Sequence, residues 1–178
     1  AGTTTFTFDP ADPTPVLGGR VMHPRHAGVK DNKNLEARGD VVTFTSSPVA
    51  NDTDIIGRPR AELALSVDNP HADVFVRLCD VDPKGASRNF ADALLRLDPN
   101  VSANQLQHVT LDLDPCAHRL VKGNQLRLQV SGGAHPRYAR NLGTDEPLAT
   151  GKRMVPSGHV VHHADSRIIL PISDGSKG

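Results

Sequence analysis

Hydrophobic and polar residues alternate in short stretches along most of this 178-residue chain. In such a stretch every second side chain lies on the same face, which is typical of a β-strand with one buried side. Six stretches show this alternation or the Thr, Val and Phe content that strands favour, namely residues 3–8, 41–45, 62–67, 74–78, 109–113 and 126–130. A seventh stretch, residues 167–172, is interpreted as the last strand, and Pro171 predicts that it lies at the edge of a sheet.

Turn-forming Gly, Pro, Asn and Asp residues separate the predicted strands. Short strands at close spacing, without any long helical pattern, predict an all-β fold, a β-sandwich or jelly roll. We expect residues 34–38 to form one short helical turn. We predict a single domain over residues 1–178, with its strands between about residues 3 and 172. Two loops, residues 10–40 and 132–156, are too long for hairpins, and loops of this kind frequently carry function.

The composition narrows the choice of partners. The 20 Lys and Arg residues balance the 20 Asp and Glu residues, and the chain contains no Trp and one Tyr. A balanced charge argues against a nucleic-acid partner, and so few aromatic rings leave few platforms for stacked bases. No apolar stretch approaches the ~20 residues of a membrane helix, and no signal-peptide pattern opens the chain. We therefore expect no nucleic-acid or membrane partner, and a cytoplasmic location.

Neither the cysteines nor the histidines predict a metal site. Cys79 and Cys116 lack the spacing of metal ligands, and we expect both thiols to be free. Three of the nine histidines, His159, His162 and His163, lie close together in the sequence. On a strand, the first and last of them would share one face about 13 Å apart, which is too far for one ion. We predict no metal and no cofactor, and expect these histidines at the surface and at strand ends.

The sequence offers no catalytic residue, because the G-x-S-x-G motif of serine hydrolases and the glycine-rich phosphate loops are absent. The loop that contains Arg137, Arg140 and Asn141 allows two interpretations. The guanidinium groups could bind an anion or a carboxylate. Alternatively, the three side chains satisfy loop backbone and tie one sheet to the other, which we favour. We likewise expect Asn89 and Asp92 to anchor a strand after a hairpin.

Five segments, taken in order along the chain, carry a resemblance to a known family. They are residues 8–19, residues 35–45, residues 76–85 with 89–96, residues 123–131 with the Arg137–Asn141 loop, and residues 166–172. Together they resemble the C-terminal domain of CocE/NonD hydrolases, a family that includes cocaine-esterase-like and X-Pro dipeptidyl-peptidase-like enzymes. The resemblance extends from about residue 6 to residue 172, and it implies a galactose-binding-like β jelly roll that closes a larger serine hydrolase.

The resemblance also implies a place for this domain in the larger enzyme. In that family the Ser-Asp-His triad and the oxyanion hole belong to an α/β-hydrolase domain, so no catalytic residue is carried over. The jelly roll packs against the hydrolase domain of the same parent chain and helps to wall the pocket for a small ester or peptide substrate. Met22 and His23 match positions that give apolar or aromatic side chains to this pocket, and His23 departs from the expected aromatic residue.

Two other functions stay open. Galactose-binding-like folds frequently bind carbohydrate or another small ligand as free-standing modules. Sugar-binding faces usually display Trp or Tyr, and this chain has only Tyr138, which weighs against that function. An independent hydrolase with an unrecognised site is the third candidate, and the lack of a nucleophile–base arrangement weighs against it. The sequence does not determine the oligomeric state, and a homo-oligomer is one of the possibilities.

Overall fold

The computed structural model describes residues 2–173, which form ten β-strands and no helix. The strands are β1 (Thr3–Phe8), β2 (Val41–Thr45), β3 (Thr53–Gly57), β4 (Arg60–Val67), β5 (Asp73–Val81), β6 (Ser87–Arg96), β7 (Gln107–Asp112), β8 (Cys116–Leu120), β9 (Gln125–Ser131) and β10 (Ser157–Ile169). Accordingly, none of the elements in this range is a helix that could cross a membrane.

Eight of the strands form two four-stranded antiparallel sheets that pack face to face. The strand order is β1-β10-β4-β7 in the first sheet and β2-β9-β5-β6 in the second, while β3 and β8 pair as a separate two-stranded ribbon. The core between the sheets consists of alternate side chains from both of them, among them Phe6, Leu63, Leu65, Val74, Val76, Leu78, Leu111, Val130 and Val161. The structure thus has the all-β jelly-roll sandwich that the alternating pattern predicts.

The second sheet is covered on both faces in its middle, at β5. Strand β5 is buried at all nine positions, because Val76 and its alternate neighbours face the core while Arg77 faces a layer of loops. Two long segments without strands, residues 9–40 and 132–156, form that layer. They are joined where the His135 backbone N–H donates to Thr14 O at 2.9 Å and its carbonyl accepts the Val16 N–H at 2.7 Å. The loops therefore make a third layer outside the sandwich.

The prediction for the last strand is wrong in its bounds and its position. Strand β10 begins ten residues earlier than residue 167, and it lies between β1 and β4 rather than at an edge. Pro171 lies beyond the end of the strand, where its missing N–H does not interrupt the ladder. The beginning of β10 is difficult to recognise because a bulge between His162 and Arg167 breaks the alternation.

Two short strands and one turn also differ from the sequence-based picture. The alternation did not indicate β3 and β8, because their sequences, TDIIG and CAHRL, do not alternate regularly between apolar and polar residues. The helical turn expected at residues 34–38 is a run of turns instead of a helix. It retains one hydrogen bond of helical spacing, from the Glu36 N–H to Asn32 O at 2.9 Å.

The expectation that the clustered histidines lie at the surface or at strand ends is wrong for His159. This residue is buried, its ring stacks on Phe6 with 4.5 Å between centroids, and its Nε2 lies 3.0 Å from Ser157 Oγ. Burial lowers the pKa of His159 to about 4, while the carboxylates of Asp68 and Asp73 act in the opposite direction. The ring is therefore neutral in the folded protein at neutral pH.

We predict that His159 makes the domain lose stability in mild acid. The unfolded chain binds a proton at this ring below about pH 6.5, whereas the folded protein does so only below about pH 4, so stability falls as the pH drops through this range. The expected loss is roughly 2–3 kcal/mol. Urea unfolding at a series of pH values should show that His159→Phe removes this loss, with His108→Phe on an exposed face as the control. Parallel curves for the native protein and the His159→Phe variant would contradict the prediction.

Candidate functional site

The long loop before β2 contains a projecting segment, residues 20–27, which we call the tip. Gly19 and Gly28 close its base, because each backbone N–H donates to the other residue's carbonyl, at 2.7 and 2.9 Å. The Gly18 N–H donates to His26 O at 2.9 Å and adds a third hydrogen bond between the two sides of the base. The tip is therefore held as a closed loop by its own backbone.

A buried arginine from the sheet supports this base. The side chain of Arg77 in β5 is only 1% exposed, and its guanidinium donates to the carbonyls of Leu17 and Gly18. It also donates to Asn32 Oδ1 at 2.9 Å and to Asp92 Oδ2 in β6 at 3.0 Å. Arg77 thus ties the backbone on one side of the tip to the outer face of the second sheet.

A second guanidinium shares the Asp92 carboxylate. Arg137, from the other long loop, donates to Asp92 Oδ1 and, at 3.2 Å, to Asp114 Oδ2. Burial by itself lowers the pKa of Arg137, but Asp92, Tyr138 and Asp114 act in the opposite direction, and together they raise the pKa above its usual value. Arg77, Asp92, Arg137 and Asp114 form what we call the ionic network, in which two positive and two negative charges balance. Arg20, at the start of the tip, reaches the outer member of the network, with Nη1 3.2 Å from Asp114 Oδ1.

The two adjacent glycines are required because the base lies directly on these side chains. A Cβ at Gly18 would lie 2.4 Å from Asn89 Oδ1, and a Cβ at Gly19 would lie 2.8 Å from Asp92 Oδ2. Both glycines also have a φ of 76°, which L-residues with side chains rarely adopt. Asn89 Nδ2 in turn donates to Gly28 O at 3.2 Å, so the other side of the base is also fixed.

The tip presents an apolar side chain to solvent. Met22 is fully exposed, at 105% of its reference area, and His23 beside it is exposed as well. The rings of His23 and His26 lie 4.3 Å apart, and His23 Nδ1 accepts the Arg25 N–H at 3.2 Å. No Asp or Glu occurs between residues 13 and 30. The tip therefore carries the exposed apolar side chain of Met22 next to the positive charges of Arg20 and Arg25. Such a segment on a fixed base is suited to contacting another surface.

The loop residues singled out in the sequence make contacts within the domain. The Arg137 guanidinium joins Asp92 in β6 to Asp114, which follows β7 of the other sheet. Arg140 donates to Pro10 O at 3.0 Å, and Asn141 Nδ2 donates to Asp73 Oδ1 at 2.8 Å. These residues therefore fasten the 132–156 loop to the second sheet and to the neighbouring loop.

The remaining candidates do not assemble into a reactive site. Burial raises the pKa of the Cys79 thiol to about 12, so this sulfur is not a ready nucleophile. Cys79 and Cys116 are both free, as expected. Tyr138 is half-buried, with its ring 6.3 Å from that of Phe75 and the Arg137 guanidinium 5.0 Å from its centre, so it is not displayed as a flat sugar platform. Within residues 2–173, no group of three or more potential ligands is placed to hold a metal ion.

Sequence reasoning missed three residues of this site, Arg77, Asp114 and Asn32. Arg77 stands in the middle of the apolar segment Val74–Cys79, where a strand covered on one face only would present it to solvent. An arginine inside such an apolar run is itself a signal of a buried ion pair, because a lone buried charge is too costly. Asn32 gives no comparable signal, since a polar residue in a Gly- and Pro-rich loop is ordinary.

Fold and site together define a β-sandwich accessory domain, with a projecting loop and without the elements of a catalytic centre in the described residues. The sequence profile of the family described as the X-Pro dipeptidyl-peptidase C-terminal non-catalytic domain matches residues 3–167. The chain belongs to this family. The match confirms the resemblance to CocE/NonD hydrolases, and the family's non-catalytic character confirms the prediction that the chain alone is not an enzyme.

Individual relatives agree with this assignment. The chain is 27% identical over 182 residues to the cocaine esterase of Rhodococcus sp. (strain MB1 Bresler), an alignment that covers 94% of this chain and 32% of the esterase. An α-amino acid ester hydrolase structure is 25% identical, with a TM-score of 0.84 over 97% of this chain and 33% of the hydrolase. An aminopeptidase structure from a marine sediment Thaumarchaeota archaeon has the same fold at 20% identity, with a TM-score of 0.84 over 97% of this chain and 33% of its own. The chain therefore spans about a third of the length of these relatives.

Proposed function

We propose that this domain packs on the α/β-hydrolase domain of a longer parent serine hydrolase and contributes one wall of its substrate pocket. The parent would hydrolyse small esters or peptides, while the present domain supplies shape and apolar contact and no reacting group. The cocaine esterase and the α-amino acid ester hydrolase, each about three times as long as this chain, support this arrangement. In the proposed complex the tip, residues 20–27, is the part that reaches the pocket.

The observation that carries the proposal is the exposure of Met22 on a fixed base. A mobile loop with an exposed methionine would need no special explanation. Here Arg77 and Asn89 from the sheet hold the base in one position. Holding it requires the burial of the Arg77–Asp92 ion pair beneath the tip. Methionine is pliant enough to fit acyl groups of different shape, which suits a pocket wall.

We predict that Met22→Ala in the full-length parent lowers kcat/KM for esters with apolar acyl groups, by roughly 1–3 kcal/mol in transition-state stabilisation, because the apolar contact is lost. His23→Phe should shift preference towards larger apolar acyl groups, since a phenyl ring replaces a polar imidazole. The measurement is kcat/KM over a series of p-nitrophenyl esters of increasing acyl length.

Met154→Ala provides the matched control. Met154 is the other methionine of the chain; it is 38% exposed and lies in the second long loop, outside the tip. This substitution should leave the acyl preference unchanged. If Met22→Ala and Met154→Ala gave the same selectivity as the native parent, the tip would have no role in the pocket and the proposal would fail.

A further inference from the structure

A second feature lies away from the tip. A cleft of about 310 Å³ opens between β2 and β9 of one sheet and β4 and β10 of the other. Its size is at the lower end of the range for ligand pockets. Apolar side chains form most of its wall, namely Phe44, Leu63, Leu126, Leu128, Val161 and Ile168. Three of these, Leu63, Leu128 and Val161, are core residues, so the cleft gives access to the core of the sandwich.

Strand β10 bulges beside the cleft. His162 pairs with Ala64 and Arg167 pairs with Glu62, so a five-residue step along β10 faces a two-residue step along β4. The Ser166 hydroxyl occupies the gap in the ladder, where it accepts the Ala64 N–H at 3.0 Å and donates to His162 O at 2.6 Å. Bulges of this kind commonly lie next to binding sites, because they redirect side chains.

The polar groups around the cleft already have partners within the domain. His163 Nε2 lies 2.8 Å from Thr4 Oγ1, and Arg167 Nε donates to Glu62 at 2.7 Å. The hydroxyl of Ser166 is used within the bulge. A ligand in this cleft would therefore gain mainly apolar contact, which fits hydrophobic side chains better than a sugar or an anion.

The first described residues lie next to the cleft. The Gly2 carbonyl accepts the His163 N–H at 3.0 Å, and a Cβ on Gly2 would lie 2.9 Å from His163 Nδ1. The His163 ring, which lines the cleft, packs edge-on against Phe44 with 5.4 Å between centroids. Only one side chain thus separates the backbone of Gly2 from the apolar wall.

We propose that the cleft holds apolar side chains of the segment that directly precedes residue 1 in the parent protein. This inference rests on the proposed function, because it requires a longer parent. The family is a C-terminal domain and the relatives are about three times as long as this chain, which places the additional length before residue 1. That segment reaches the domain beside Gly2, within one side chain of the cleft, so it can occupy the cleft at little additional cost in chain entropy.

The test compares thiol accessibility at the rim of the cleft in three proteins: the 178-residue chain, the chain extended by about 20 upstream parent residues, and the full-length parent. Arg167→Cys places a thiol at the rim, and Arg119→Cys places one in β8, a strand that does not line the cleft. Both arginines are exposed and paired with a carboxylate across a strand pair, so the variants are matched. A Cys116→Ser background removes the half-buried native thiol, and N-ethylmaleimide is the probe.

We expect the thiol at position 167 to react about tenfold more slowly in the extended chain and in the parent than in the 178-residue chain, because the probe must wait for the segment to leave. The thiol at position 119 should react equally in all three. Without any substitution, the backbone amides of residues 163–169 should also exchange more slowly in the extended chain than in the 178-residue chain.

Three results would overturn the proposal: equal reactivity in all three proteins, protection in the full-length parent only, or protection in the 178-residue chain that grows with its concentration. The second would assign the cleft to the hydrolase domain itself, and the third to a second copy of this chain. Ester hydrolysis by the same parent is measured alongside. A parent without hydrolase activity would refute the proposed function. The thiol reaction rates would still show whether the upstream segment, the hydrolase domain or a second copy of the chain occupies the cleft.

Discussion

Asp92→Ala is expected to destabilise the domain by about 3–5 kcal/mol, because it removes the carboxylate shared by the buried guanidinium of Arg77 and the largely buried guanidinium of Arg137. The Arg77 and Asp92 side chains are 1% and 3% exposed, so water cannot replace the lost partner. Arg77 would retain its bonds to the carbonyls of Leu17 and Gly18, but these carry no compensating charge. The free energy of unfolding in urea, followed by far-UV circular dichroism, measures the loss.

Asp112→Ala is the control for this substitution. Asp112 forms an ion pair with Arg60 at 2.7 Å on an exposed face of the first sheet. Water can solvate the Arg60 guanidinium after the substitution, so the loss of unfolding free energy should be much smaller. Equal losses for Asp92→Ala and Asp112→Ala would mean that the network is solvated in solution. In that case the base of the tip would not be fixed as described above.

Leu78→Ala and Leu111→Ala should each cost about 2–5 kcal/mol, since each removes a buried side chain from the core and leaves a cavity. Leu78 lies in β5 and Leu111 in β7, so the two variants examine opposite sheets of the sandwich. The measurement is again the free energy of unfolding in urea, with the slope of the transition checked for two-state behaviour. Leu106→Ala, at a position that is 45% exposed, is the control.

A large loss at Leu106 together with small losses at Leu78 and Leu111 would contradict the assignment of the core. A large loss in one sheet only would indicate that the sheets do not share one core. The two buried leucines should therefore respond alike, while the exposed leucine stays within about 0.5 kcal/mol of the native protein.

The alternation locates strands well where one face is buried and the other is in water. The Thr, Val and Phe content likewise predicts residues 3–8 and 41–45, which are the observed bounds of β1 and β2, where Phe faces the core and Thr is mostly exposed. Strand β5 shows the opposite case. The pattern predicts residues 74–78, whereas the strand runs from Asp73 to Val81, because the loop layer buries its second face, where polar residues such as Asp73 and Arg77 lie.

The site is less accessible to sequence reasoning than the fold. The family resemblance identifies Met22 and His23, but nothing local in the sequence shows that the loop before them is anchored on Arg77. That anchoring depends on Asp92, 15 residues away in another strand, and on Arg137 in another loop. Such pairings follow from the register of β5 and β6, which places Arg77 opposite Asp92, and periodicity alone does not determine that register.

The position of the tip relative to a bound substrate can be measured directly in the parent enzyme. A crystal structure of the full-length hydrolase, with an alkylphosphonate bound covalently to its catalytic serine, would contain both the tip and an alkyl chain in the position of the acyl chain. We expect side-chain atoms of Met22 to lie within about 4.5 Å of the alkyl chain, which is the distance of van der Waals contact. A pocket closed by hydrolase residues alone, with residues 20–27 in solvent or on another surface, would contradict the proposed role of this domain.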